Sequence, residues 1–337
     1  MTTHVVQVSP QSAAQPSGLR PIDVRRDLGE VADLIGDAFA DELDQGGLSA
    51  LREMRTLGQM GPFTQFLSRV STDFYDMLGG FVWIEDGHVI GNITVQRVDT
   101  YGQRWAIANV AVAPPFRGRG ISRKLMAAAL EYIEGRSGKW AVLQVRENNP
   151  IARGLYDRMG FETLGGTGEY CLDRMPAQLN DSALPLRPLH NHEWHAAYEL
   201  AVANTPSLMQ WWQPVRADDF QMVLERRLQE SFLRLVGHSR VLRLALPATE
   251  GGRPLDAVTI VRATRWQGHH TLSLYVHPER HGALEVMLVD SALQTLQHYP
   301  IFPVATKVQA THAQAVAALR SAGFREIKTL LTMRKRL

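Results

Sequence analysis

Apolar residues at Leu28, Val31, Leu34, Ile35 and Phe39 recur at helical spacing and predict a helix over 27–43, behind a short strand at LRPI, 19–22. A second helical region is expected over about 48–77, interrupted near Met60 by Gly and Pro. FVWIEDGHVIGNITVQ, 81–96, predicts a hairpin, with Asp86-Gly87 as its turn. WAIANVAV, 105–112, and WAVLQV, 140–145, predict further strands. Between them a glycine-rich opening at Arg117 runs into a helix ending near Ile133. A helix over 150–159 and a pair of strands in FETLGGTGEYCLDR, 161–174, complete the pattern. Strands alternating with helices predict an α/β or α+β layered fold.

The pattern then starts again. LRPL at Leu186 echoes LRPI at Leu19. VAPPFRGRGISRKLMAAAL from Val112 finds its counterpart in VHPERHGALEVMLVDSAL from Val276, and IARGLYDRMGFETL from Ile151 in AQAVAALRSAGFREI from Ala313. Three ordered matches at a nearly constant offset predict an internal duplication. The expected organisation is a polar tail over 1–17, a first domain over 18–176, a linker over 177–185 and a second domain over 186–337.

Composition narrows the function classes. The chain has 337 residues, 45% hydrophobic and 21% charged, with a formal net charge of +2. Such near balance argues against nucleic acid or an anionic membrane as the main partner. No run approaches the ~18 apolar residues of a membrane helix. A secretion signal is not apparent, and a lone cysteine, Cys171, fits a reducing compartment. A cytoplasmic location is therefore expected, as a monomer or homodimer.

The chemistry sits in NVAVAPPFRGRGISRKLM, 109–126. Here a strand leads through Pro114-Pro115 into Arg117-Gly118-Arg119-Gly120-Ile121-Ser122 and then a helix. Glycines at such a turn let the backbone approach an anion, and the first helix amides point at it without intrahelical acceptors. The helix dipole, Arg117, Arg123 and Lys124 add positive charge. A pyrophosphate is the natural occupant. Rossmann and P-loop spacings are both absent.

This segment resembles motif A of the GNAT superfamily of acetyltransferases, Arg/Gln-x-x-Gly-x-Gly/Ala, read here as Arg117-x-x-Gly120-x-Ser122 with one departure at the last position. Downstream, Asn149-x-x-Ala152-x-x-Leu155-Tyr156-x-x-x-Gly160-Phe161 resembles the family's second signature. The resemblance covers about 19–174 well. It implies two tandem GNAT-like domains, each a mixed central sheet flanked by helices, and acetyl transfer from acetyl-CoA to a primary amine in a ternary complex without a metal. It further implies that Val110, Ala111 and Val112 bind the pantetheine arm in a gap between two splayed strands. The backbone of Arg117, Gly118, Arg119, Gly120, Ile121 and Ser122 would hold the pyrophosphate, Asn149 the amide arm, and Tyr156 would protonate the departing thiolate. The acceptor would be a small-molecule or peptide amine.

Relatives that acetylate ribosomal-protein N-termini carry a Glu base five residues before the motif Asn. Here that position is Gln144, which takes no proton at neutral pH. Asn109 takes none either, and Glu147, Asp99 or a water chain are the open alternatives. The missing base leaves a second reading, an acyl-CoA-binding sensor or scaffold, and a third is a protein N-terminal or lysine acetyltransferase. In the second half Arg117 falls on His281, Gly120 on Leu284, Ser122 on Val286, Asn149 on His312 and Tyr156 on Leu319. Leu284 and Val286 are expected to crowd a pyrophosphate, leaving this half without a cofactor site and with a structural or substrate-shaping role. His190, His192 and His195 read as solvated helix-start histidines, and Trp211-Trp212 as core or subunit contact. Phe63, Phe66, Phe74 and Tyr75 read in part as helix packing and in part as shaping the acceptor site.

Overall fold

The computed structural model describes residues 17–40, 45–59, 79–176, 184–221, 239–249, 252–266 and 268–337. The tail, most of the linker and Phe63, Phe66, Phe74 and Tyr75 lie outside them. The chain separates into two compact units. The first comprises Met1–Gln144, Asp157–Phe161 and Arg334–Leu337, and the second Val145–Tyr156 and Glu162–Met333.

In the first unit the strands are β1 (Gly18–Pro21), β2 (Gly80–Glu85), β3 (His88–Arg97), β4 (Arg104–Val112) and β5 (Trp140–Arg146), which continues past the unit boundary at Gln144. They lie side by side in chain order; the first four pair antiparallel and β5 joins β4 in parallel. The β2–β3 turn has positive φ at Asp86 (51°) and Gly87 (83°), as a type I′ hairpin requires. Helices α1 (Val24–Ala38) and α2 (Gln45–Gln59) bury Val31, Ala32, Ile35 and Leu51 against Val82 and Ile84 of β2. The alternate residues of that strand face the other way. There α3 (Ile121–Glu134) packs, with Phe81 edge-on to Tyr132. The helix comes so close at Gly91 of β3 that an added Cβ would meet Ile121 and Leu125 at 3.2 Å. Strand alternation thus puts α1 and α3 on opposite faces.

The second unit holds α4 (Pro150–Arg158) up to Tyr156, β6 (Glu162–Leu172), β7 (Arg187–Pro188), α5 (Trp194–Ala203) and α6 (Ser207–Trp212). It continues with β8 (Ser239–Pro247), β9 (Leu255–Thr264), β10 (His270–Val276), α7 (Glu285–Leu296), β11 (Val304–Gln309), α8 (Ala313–Ser321) and β12 (Arg325–Arg336) up to Met333. From β7 to β11 the pairing repeats that of β1 to β5, three antiparallel pairs and then a parallel one. Even the lead-in is repeated. Arg20 makes a bidentate pair with Asp27 at 2.6 and 2.7 Å, and Arg187 makes one with Glu193 at 2.6 and 2.8 Å. In both, the carboxylate also accepts a backbone N–H, from Asp23 and His190 respectively. The core lies between α7 and α8 (Val289, Leu293, Ala318, Leu319) and the sheet (Val261, Leu272, Val304, Tyr170).

One expectation differs from the structure. The segment expected to be a pair of strands is one eleven-residue strand, β6. Its glycines serve close approach rather than a turn: a Cβ on Gly165 would lie 2.8 Å from Met209. The compact units divide the chain differently from the two sequence halves. Strand β6 pairs antiparallel with β11, from Leu172 opposite Val304 to Thr167 opposite Gln309, and so counts with the second unit.

Candidate cofactor site

Strand β4 is interrupted where the cofactor arm was expected. Asn92 stands opposite Ala111 and Thr94 opposite Ala108, so two residues of β4, Asn109 and Val110, face one of β3. This is a β-bulge. Asn109 adopts φ +52°, and its side chain donates to Thr94 Oγ1 at 3.2 Å. Asn92, fully buried, donates from Nδ2 to the Asn109 carbonyl at 3.1 Å and pins the bulge from behind. On the other edge the β4–β5 pairing runs from Arg104 and Trp140 only to Ile107 and Leu143. Val110, Ala111 and Val112 thus lie beyond the last β4–β5 pair, past the bulge.

The loop that follows is open. Gly118 (φ +78°) and Gly120 (φ +75°) are left-handed, a conformation costing an L-residue roughly 1–2 kcal/mol. A Cβ built on either meets nothing within 4 Å. Gly120 is the N-cap of α3 and no side chain caps the helix. The amides of the first turn therefore face an open, solvated space. Arg117 folds back, its Nε donating to the Val112 carbonyl at 2.9 Å, and Arg119 reaches Glu85 at 3.3 Å. Arg123 and Lys124 stay exposed on the first turn, Lys124 lying over the Trp83 ring. Uncapped amides, two glycines with free space and surrounding cations suit a pyrophosphate.

Asn149 and Tyr156 lie on the Val145–Tyr156 segment that counts with the second unit. Asn149 Oδ1 accepts the Ala152 N–H at 3.0 Å and starts α4. Tyr156 is 6% exposed, and burial pushes its phenol up to about 12, so it is protonated at neutral pH. Of the candidate bases, Asp99 is committed elsewhere. Its carboxylate accepts from the backbone N–H groups of Gln103 and Arg104 and from Arg104 Nε at 2.8 to 3.1 Å. Burial raises its pKa, but these bonds outweigh that and hold it below the usual carboxylate range. Glu147 is exposed.

The same corner of the second unit is furnished differently. The β9–β10 register runs without a slip from Arg262 opposite Thr271 to Ala257 opposite Val276. His281 takes the position of Arg117 and makes the same bond, its Nε2 lying 3.1 Å from the Val276 carbonyl. Gly282 is again left-handed, φ +88°. The expected crowding by Leu284 and Val286 is not what distinguishes this loop. Leu284 turns inward, 3% exposed, against Leu288 and Val276, while Val286 points outward at 47%. Instead Glu285 occupies the helix start. Its Oε2 accepts the Gly282 N–H at 2.8 Å, and its Oε1 meets His312 Nε2 at 2.9 Å. Burial raises the Glu285 carboxyl, but the bonds to His312 and backbone N–H groups bring it below its ordinary value. An anion arriving there meets a carboxylate already on the amides. Sequence reading passed over Glu285 because its counterpart, Ile121, carries no polar group.

The histidines of HNHEWH lie in the turn before α5 and in its first residues. His190 caps the preceding turn in a capping box with Glu193, and His192 stacks on His190 at 5.5 Å. Trp211 and Trp212 are half-buried on α6. No helix among the described residues is long and apolar enough to cross a membrane.

Residues 49–161 match the model of the acetyltransferase (GNAT) family. Among curated proteins, a [ribosomal protein bS18]-alanine N-acetyltransferase of Haemophilus ducreyi is 38% identical over 56 residues, 17% of this chain and 39% of its own length. A mycothiol acetyltransferase of Rhodococcus jostii is 30% identical over 141 residues, 40% of this chain and 41% of its own. The match thus spans about two-fifths of these relatives. Among solved structures, a GCN5-related N-acetyltransferase from Sphaerobacter thermophilus superposes with a TM-score of 0.59 at 17% identity, over 94% of this chain and 95% of its own. A tandem GNAT protein from the clavulanic acid biosynthesis pathway gives 0.50 at 16%, over 94% and 98%. At such identities these two speak for the fold alone. The fold is that of GNAT proteins, and over residues 49–161 the sequence is that of the GNAT acetyltransferase family.

Proposed function

We propose that this chain moves an acetyl group from acetyl-CoA to a primary amine, using one cofactor site, in its first half. The observation that carries the reading is the bulge at Asn109 beside an uncapped, glycine-lined helix start. The first offers strand edge to an extended pantetheine arm, and the second offers amides to a pyrophosphate. The amine nitrogen forms a bond to the thioester carbonyl carbon, the C–S bond breaks, and the thiolate leaves. A strand N–H near the bulge stabilises the oxyanion. Tyr156 supplies a hydrogen bond, and then a proton, to the thiolate. Its high pKa makes that transfer uphill against an ordinary thiol near 8.5, unless the thiolate is raised by the same burial. The ammonium proton leaves through water or Glu147, because Asp99 is consumed by the β3–β4 turn. The second half contributes structure, its own helix start being occupied by Glu285.

The acceptor is an amine of a small molecule or a peptide, the two kinds of relative pointing each way. Calorimetric titration with acetyl-CoA, followed by thiol release with amine and peptide panels, tests the proposal. One site per chain and release with at least one amine supports it. The commitment of Asp99 and the glutamine at 144 favour one rival, an acyl-CoA sensor without turnover. Binding without release across broad panels would select that rival, and absence of binding would remove both.

A further inference from the structure

We infer that His281, Glu285 and His312 form a site for a divalent transition-metal ion of the zinc type. Their ligand atoms all lie within 4.8 Å of one another. They come from three separate places: the loop after β10, the first residue of α7 and the residue before α8. Glu285 and His312 are buried and His281 is half-buried, so the cluster reaches solvent on the His281 side. Two imidazoles, a carboxylate and an open position are a recognised zinc set.

The outer bonds are those that orient ligands. His281 Nε2 is held by the Val276 carbonyl at 3.1 Å, leaving Nδ1 for an ion. Glu285 Oε2 is held by the Gly282 N–H at 2.8 Å, leaving Oε1. The remaining contact, Glu285 Oε1 to His312 Nε2 at 2.9 Å, is the one an ion replaces. Bonds of ~2.0–2.1 Å at tetrahedral angles separate ligand atoms by roughly 3.3 Å, so these two need to part by only a few tenths of an ångström. The rings of His281 and His312 stack with centroids 4.0 Å apart and planes 21° from parallel, so the half-buried His281 ring turns out of the stack to bring its in-plane lone pair onto an ion shared with His312. Excluding a pyrophosphate needs only the carboxylate. Yet all three counterparts, Arg117, Ile121 and Asn149, are replaced by ligand-type residues that converge.

The test uses the full chain stripped with a chelator, then titrated with Zn²⁺ against a chromophoric chelator and with Co²⁺ by absorption. One Zn²⁺ per chain is expected, with a Co²⁺ spectrum of four- or five-coordination. Binding should persist in the His190→Gln, His192→Gln double variant and weaken by about 100-fold or more in His281→Gln and His312→Gln. Should His312→Gln not fold, judged by circular dichroism, His281→Gln on its half-buried loop decides. The inference is overturned by the absence of stoichiometric binding, by unchanged affinity in His281→Gln, or by loss in the His190, His192 variant.

Discussion

Asn92 holds Asn109. The buried amide of one donates to the backbone carbonyl of the other at 3.1 Å, at the point where the β3–β4 register slips. Asn tolerates a left-handed φ and a β-branched residue does not. Asn109→Gly should therefore keep the bulge and keep acetyl-CoA affinity within about threefold. Asn109→Val should flatten it and weaken binding about tenfold or more, at roughly 1–2 kcal/mol of strain. Titration calorimetry of both variants checks this; equal affinities would disconnect the bulge from the cofactor.

Gly120 has free space above it and a φ of +75°. Gly120→Ala should weaken acetyl-CoA by about tenfold through backbone strain of ~1–2 kcal/mol. Gly120→Leu should abolish detectable binding, since its side chain fills the anion's place. Unchanged affinity in the leucine variant would mean that the anion lies elsewhere.

Tyr156 is buried and its phenol is raised to about 12. Tyr156→Phe should lower kcat about tenfold to a thousandfold while leaving acetyl-CoA affinity nearly unchanged. A kcat equal to wild type would retire its role as donor.

Glu193 is held down to about 2 from its usual 4.5, first by the Arg187 hydrogen bond and against the cost of burial. A depressed carboxylate contributes its stability in full above pH 4.5 and loses it as pH falls through 2. Arg187 is 32% exposed, so solvent screening reduces the contribution to about 1 kcal/mol. Glu193→Gln should show that deficit in urea denaturation at pH 7, and a shrinking one toward pH 2. A deficit independent of pH would make the loss one of packing.

Much of the frame was legible in the sequence because it rests on local rules. Helical spacing from Leu28 to Ile35 marked α1, Asp86-Gly87 the hairpin, and Gly118 and Gly120 the glycine-rich loop before α3. The repeated LRP segments announced a duplication, and only the structure showed that each carries an arginine–carboxylate pair. Tertiary contacts decided the rest. Nothing in NVAV marks which residue bulges, since that depends on Asn92, seventeen positions earlier. The glycines of β6 look like a turn until Met209 is packed against Gly165. Whether Leu284 blocks a loop or fills a core, and whether Glu285 faces solvent or His312, is fixed by side-chain direction. Residue type alone sets a group's chemistry; only the packed chain sets which groups meet.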